Sequence, residues 1–445
     1  MRNLGNAGKS EAERSLVRDG LIQRFLLGDR EMLQYTLVTG EAPRPWQIVD
    51  HPESVWKVLW RSRGAEELFA GLGSVAVIGL QDIREMARVK GLRWYGGQPF
   101  MDGAPTEEWG AFARDLLILP EVEWEFGSAG TTVRVRLVSP HDTDDQAVQE
   151  MAAKRLQAWL ATMPPLSEDL PAAGQRKLEP SLREWIRLVK STTGHIYEEA
   201  FAKVVLSRSC TLHFPEDVRP GALLSRLAAI DEESYLFSLT TPEGLSFLGR
   251  SPEKLLSWED RHILVDAIAG TSGRGASREE DARFAYNLAL SEKDLQEHRI
   301  VTGYVAGILR SVCESFENTE KEKLLQLKNL QHIRSTFRGK CRVGEHPIGL
   351  LQRLHPTPAV GGHPWDIARD FIDGNEPVSR GWYAGAVGCT DFTSGDFAIG
   401  IRSALLGDRF LKVFAGSGIV RDSDPGAEWL ETALKMKNFL DMFPT

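Results

Sequence analysis

A series of short strand signals joined by tight turns restricts the fold of this chain more than any other feature. Lys203 to Leu212, Tyr235 to Thr240, Leu245 to Gly249, Lys254 to Trp258 and His262 to Ile268 read as strands, and the later ones are separated by turns such as Pro242-Glu243-Gly244. Parallel neighbours need a crossover of about a dozen residues or more, so turns this short predict antiparallel pairing. Leu182 to Tyr197 reads as an amphipathic helix, and further helices are expected from about Glu279 to Phe316 and from Glu320 to Gln331. Strands then return at Trp382 to Gly388, Asp396 to Leu405 and Phe410 to Ala415, linked by Thr393-Ser394-Gly395 and Gly407-Asp408, as an antiparallel meander. This order predicts an α+β fold in which large antiparallel sheets pack together and are flanked by helices.

Two acidic pairs of equal spacing fall in the same half: Asp294 with Glu297 in SEKDLQEHR, and Glu428 with Glu431 in PGAEWLETALK. A separation of three puts both carboxylates of a pair on one side of a helix. In the first helix the stripe continues through Val301, Val305, Ile308 and Val312, so the acids extend a face expected to be buried. Buried carboxylates are costly unless compensated, and four of them suit a hard divalent ion such as Mg²⁺. An ordinary explanation stands beside this one, since most acidic residues are exposed. The second pair also has a local reason: Asp424 can cap the helix, Pro425 suits its first turn, and acids there complement the helix dipole.

The chain has 445 residues, 42% of them apolar, which allows two or three domain-sized units or one large intertwined domain. A formal net charge of −9 argues against nucleic acid as a partner and requires local cations if the substrate is an anion. No run of eighteen apolar residues predicts a membrane span, and MRNLGNAGKSEAERS has no apolar stretch of the secretory kind, so a cytoplasmic location is expected. Cys210, Cys313, Cys341 and Cys389 are far apart and read as free thiols. Gly8-Lys9-Ser10 resembles the end of a phosphate-binding loop, but Asn3 stands where that loop needs glycine, and the reading is rejected. Residues 1–175 form a Trp-rich N-terminal part (Trp46, Trp56, Trp60, Trp94, Trp109, Trp124, Trp159) with a hairpin from EVEWEF through GSAG to TTVRVRLV. It ends in the candidate linker MPPLSEDLPAAGQ, and residues 176–445 form the region where catalysis is expected.

Within that region lie KVVLSRS (203–209), FLGRSPEKLL (247–256), DAIAGTSGRG (266–275), LHPTPAVGG (354–362), IRSALL from Ile401, and FAGSGIVRDSDPGAEWLET (414–432). With these segments in this order, residues 180–442 resemble the chorismate-utilising enzymes, and among them most closely the isochorismate synthases. The resemblance implies an aminodeoxychorismate synthase-like fold. It also implies a reversible Mg²⁺-dependent isomerisation in which water adds at C2 of chorismate and the C4 hydroxyl leaves. Lys203 matches the residue that activates the water, which requires it to be partly neutral near pH 7. Glu253 matches the general acid, a carboxyl kept protonated in a poorly solvated site. Glu297 and Glu431 match metal ligands, with Asp294 and Glu428 supporting them directly or through water. Arg402 and the backbone N–H groups of Gly416, Ser417 and Gly418 would meet the enolpyruvyl carboxylate. Gly270 and Thr271 would face the ring and its carboxylate, Ala359 and Val360 would form an apolar wall, and His298 and His332 would support the site structurally. Outside this resemblance each residue has a plainer explanation: a lysine opening a strand, a glutamate after a Ser-Pro turn, a surface arginine, a glycine turn.

Related activities leave marks that can be compared. Amine-transferring relatives typically carry glutamine at the place of Lys203, and the aminodeoxychorismate enzymes use a nucleophilic lysine where this chain has Ala269. Salicylate synthases keep the base lysine, but their counterpart of LHPTPAVGG usually diverges. The expectation is therefore a chorismate enzyme with no obligatory glutaminase subunit, acting as monomer or homodimer, with a lean toward menaquinone over siderophore supply. A chorismate-binding protein with a decayed site is the non-enzymatic alternative.

Overall fold

The computed structural model describes residues 20–443 except 28–29, 81, 83–90, 104–105, 140–142, 231–232, 329 and 392. Gly8-Lys9-Ser10 and the rest of the N-terminal stretch lie outside the described residues. The described strands form two sheets, of thirteen and nine strands, paired antiparallel throughout. Helices flank them, giving the expected α+β architecture. One apolar cluster takes Trp60, Tyr235 and Phe247 from the larger sheet and Trp94, Val265 and Phe397 from the smaller. This shared core is what holds the sheets against each other.

The N-terminal residues complete both sheets. Lys57–Arg61 pairs with Tyr235–Thr240, and Trp94–Gln98 pairs with Ala386–Thr390. The expected hairpin is Val122–Gly127 with Gly130–Ser139. The amphipathic helix spans Leu182–Tyr197, and Ser181 and Glu184 cap it reciprocally.

Three expectations are corrected. Glu320 to Gln331 is not a helix: Cys313–Gln326 is a strand paired with Leu330–Cys341. Its Glu and Lys residues favour a helix locally, but it is the outermost strand of its sheet, where charged side chains suit a solvent-facing edge. The helical run before it is two helices, Arg278–Leu290 and Glu292–Val312, broken at Ser291, whose hydroxyl caps the second by accepting from the Asp294 N–H. The final strands are not one meander. Trp382 to Gly385 is a turn before the strand Ala386–Thr390, and Asp396 to Leu405 contains two strands, Ser394–Ile399 and Ser403–Gly407, in different sheets.

Candidate active site

Of the places where the chain passes from one sheet to the other, two are neighbours and carry predicted site residues. Ser246–Ser251 belongs to the larger sheet and Lys254–Glu259 to the smaller, so the first crossing is Pro252-Glu253. The second is Gly400 to Arg402. The crossings are tied together, Arg250 N–H donating to the Arg402 carbonyl at 3.0 Å and Ile399 N–H to the Glu253 carbonyl at 3.0 Å. Arg402 has φ +50°, a left-handed conformation uncommon for a residue with a side chain and frequent at functional sites. A cleft lined by Glu253, Arg402 and both acidic pairs opens here.

All four acids line this cleft. Asp294 and Glu297 come from Glu292–Val312, whose Val301, Val305 and Val312 are buried beneath them. Glu428 and Glu431 come from Pro425–Leu440, capped by Asp424, which accepts from Ala427 N–H at 2.8 Å. Both pairs therefore face inward, and three of the four are paired with lysine. Lys203 Nζ lies 2.7 Å from Glu297, Lys293 Nζ 3.1 Å from Glu428, and Lys435 Nζ 2.6 Å from Glu431. Asp294 instead accepts from the Ser291 hydroxyl. Burial alone would push the Glu297 carboxyl up, but Lys203 at contact distance, with Lys435 and Lys293, holds it below its usual range. Burial raises the Asp294 carboxyl.

The donor set consists of carboxylate oxygens, which suit a hard cation. Among the described residues no three acidic, His or Cys side chains are grouped so as to hold a metal ion by themselves. An open set of this kind fits an ion such as Mg²⁺, which keeps waters and takes part of its coordination shell from an anionic substrate.

Glu253 also lines the cleft, 5% exposed. Burial, reinforced by Asp266, pushes its carboxyl up to about 8 against the opposing pull of Lys203, Lys435 and Arg402. A shift in this direction favours the protonated carboxyl at neutral pH. Lys203 is fully buried just behind the cleft wall and reaches it through Glu297; its ammonium makes this ion contact but no aligned hydrogen bond.

Arg402, His332 and Thr271 form a chain. The guanidinium approaches His332 Nε2 at 3.3 Å, and His332 Nδ1 lies 3.0 Å from Thr271 Oγ1. Since a guanidinium only donates, Nε2 accepts and Nδ1 carries the proton. Burial, helped by Arg402, keeps the ring neutral, and Thr271 retains its own hydroxyl proton to donate elsewhere. Gly270 has φ +80°, and a Cβ there would lie 3.0 Å from Asp294 Cβ. His298 does not line the cleft; it lies in the core with Nε2 2.8 Å from Ser335 Oγ, and burial pushes its pKa down to about 4.

The remaining predicted residues divide. Ala359, Val360, Gly416 and Gly418 line the cleft. Ser417 does not: its side chain turns to the helix behind and donates to Glu428. Phe410–Ile419 loses its Ser403–Gly407 neighbour after Val413, so the stretch from Phe414 borders the cleft with one edge not paired to Ser403–Gly407, where the Gly416 carbonyl accepts from Lys435 Nζ at 2.9 Å. Gly418 has a steric reason as well, because a Cβ there would lie 2.6 Å from Glu297 Oε1 and 2.8 Å from Lys203 Cε. Lys293, Lys435 and Tyr383 line the cleft without having been singled out in the sequence. The position of Lys435, four residues after Glu431 on one helix, is the signal that could have found it.

Three of the four cysteines are buried and Cys389 is half-buried, all as free thiols. No described helix is long and apolar enough to cross a membrane.

Comparison with known proteins agrees with this geometry. Residues 80–443 match the family described as chorismate binding enzyme. The isochorismate synthase MenF of Bacillus subtilis is 33% identical over 350 residues, covering 77% of this chain and 73% of that protein. The salicylate biosynthesis isochorismate synthase of Pseudomonas aeruginosa is 34% identical over 356 residues, covering 77% and 72%. The solved structure of MenF, the menaquinone-specific isochorismate synthase of Escherichia coli, superposes with a TM-score of 0.79 at 26% identity, covering 95% of each chain. From the order of its motifs, the two bridged sheets and these matches, the chain belongs to the chorismate binding enzyme family.

Proposed function

We propose that this protein is an isochorismate synthase, an isomerase that converts chorismate to isochorismate reversibly for menaquinone biosynthesis. The observation that carries the reading is Glu253, a buried carboxyl pushed up to about 8, in one cleft with a set of inward-facing acids, of which Glu297 is met from behind the wall by Lys203 at 2.7 Å. Lys203, after its ammonium has released a proton to solvent, takes a proton as the neutral amine from the water that bonds to C2, the ring double bonds shift, and Glu253 gives its proton to the C4 hydroxyl, which leaves as water. The proton gained at Lys203 and that lost at Glu253 are exchanged with solvent, so the net change is isomerisation. Glu297 and Glu431, supported by Asp294 and Glu428, would hold Mg²⁺, which supplies positive charge to offset repulsion between these acids and the ring carboxylate. Arg402 and the backbone edge at Gly416 to Gly418 bind the enolpyruvyl carboxylate, with Thr271 donating to the ring carboxylate and Ala359 and Val360 enclosing the ring. Water as nucleophile requires no glutaminase subunit. The menaquinone assignment is supported by the likeness to the Escherichia coli enzyme along nearly the whole chain.

The test is incubation with chorismate and Mg²⁺, chromatography of the ring product, and a coupled lactate dehydrogenase assay for pyruvate. Isochorismate without pyruvate is expected. Pyruvate rising in step with chorismate loss, with salicylate as product, would make this a salicylate synthase, and no turnover would leave a binding protein.

A further inference from the structure

The N-terminal part of the chain reaches the site at the first sheet crossing. Arg61, the last residue of Lys57–Arg61, lies opposite Leu236, and the adjacent Tyr235 lies opposite Ser251, which ends Ser246–Ser251. This register places the turn after Arg61 beside Pro252. There the Arg63 guanidinium donates to the Pro252 carbonyl at 2.8 Å and to Asp266 Oδ2 at 2.6 Å. The Asp266 side chain is fully buried, and its other oxygen accepts from Thr336 Oγ1 at 2.8 Å. The same crossing is held by Glu253 N–H donating to Ser251 Oγ at 3.2 Å and by the Ile399 bond to the Glu253 carbonyl.

We propose that Arg63 is a positioning residue for Glu253: it anchors the turn that carries the carboxyl, and it supplies the counter-charge to the buried Asp266 beside that turn. This rests on the reading of Glu253 as the general acid. A buried carboxylate that loses its cation is left uncompensated, so the effect of Arg63 is transmitted through Asp266 rather than by contact with substrate. Lys203, Lys435 and Arg402 act on Glu253 with the opposite sign, and Tyr383 shares its surroundings. Tyr235 and Asp396 are the other ionisable groups around the Arg63–Asp266 pair.

The experiment measures kcat and KM for chorismate against pH in the full chain, wild type and Glu253→Gln alongside Arg63→Met, Arg63→Lys and Asp266→Asn. Because the protonated acid is the active form, kcat has an alkaline limb where Glu253 loses its proton. Arg63→Met should lower kcat about tenfold or more with KM within about threefold, since geometry at the reacting group is lost and ground-state binding is kept. It should also move the limb up by about half a pH unit, because the Asp266 charge is less compensated. Arg63→Lys should recover much of kcat, and Asp266→Asn should move the limb down. The limb position does not depend on how much protein is folded, and Asp266→Asn reads the same network if Arg63→Met fails to fold. A limb unmoved in both variants, with kcat per folded molecule unchanged in Arg63→Met, overturns the proposal while leaving the isochorismate synthase reading intact. A wild type that makes no isochorismate removes both readings, whereas a fully active Glu253→Gln removes the general-acid role and this proposal with it and leaves the isochorismate synthase reading standing.

Discussion

Lys203 Nζ lies 2.7 Å from Glu297 Oε1, so the proposed base and a proposed metal ligand share one ion pair. The pair is tucked under Gly418, the only residue type whose backbone could come this close without displacing it. Removing the ammonium takes away a group used in the transition state. Lys203→Ala should abolish water addition while chorismate binding stays within about tenfold of wild type. Isothermal titration with chorismate, next to a turnover assay, separates the two, and retained turnover would rule out Lys203 as the base.

Gly418→Ala tests the packing directly. Its methyl would meet Glu297 Oε1 at 2.6 Å and Lys203 Cε at 2.8 Å, and one of them must shift. Turnover should fall by at least about tenfold, since small misplacements of reacting groups cost that much or more. A crystal structure of the variant with the pair undisturbed and activity normal would contradict this.

Glu253 makes activity and stability depend on pH in the same window. Its carboxyl is pushed up to about 8 in the folded chain and lies near about 4.3 when unfolded. Turnover should therefore decline as pH rises through about 8, where the donor proton is lost. Between these two values the folded protein holds a proton that the unfolded chain has released, so this group's contribution to stability falls with rising pH across that interval. Glu253→Gln should lower kcat roughly a hundredfold and flatten that part of the stability curve. Denaturation midpoints from pH 5 to 9 in both proteins would show it; parallel curves would mean that Glu253 is not the group responsible.

Glu297→Ala and Glu431→Ala should each weaken Mg²⁺ and chorismate together, because metal and substrate reduce each other's charge penalty and such coupling is reciprocal. Calorimetric titration of Mg²⁺ with and without chorismate measures the coupling. Independent binding in the wild type would remove the proposed role of the metal in offsetting charge.

Much of the site could be read along the chain because its parts are local. The spacing within each acidic pair sets which side of a helix the carboxylates share, and Asp424-Pro425 marks where the second helix begins. The short turn at Pro242 to Gly244 sets an antiparallel hairpin, found as Tyr235–Thr240 with Ser246–Ser251. Local signals failed where a distant partner outweighed them. Cys313–Gln326 carries helix-favouring residues yet is a strand, because Leu330–Cys341 offers it an antiparallel partner along most of its length, with three breaks in register.

Which sheet each strand joins was decided only in three dimensions. Nothing near Glu253 or Arg402 states that the chain leaves one sheet for the other there, since that depends on the core shared by both sheets and on the bonds between the two crossings. The same holds for charge. Lys293 meets Glu428 across 135 residues and Arg63 meets Asp266 across 203, and no periodicity encodes such pairs. The sequence by itself determined the antiparallel hairpins, the helix caps and the chemical types in each motif, because these depend on neighbours a few residues away. Tertiary structure decided burial and charge compensation, and through them the protonation of Glu253, because desolvation and Coulomb forces act through space.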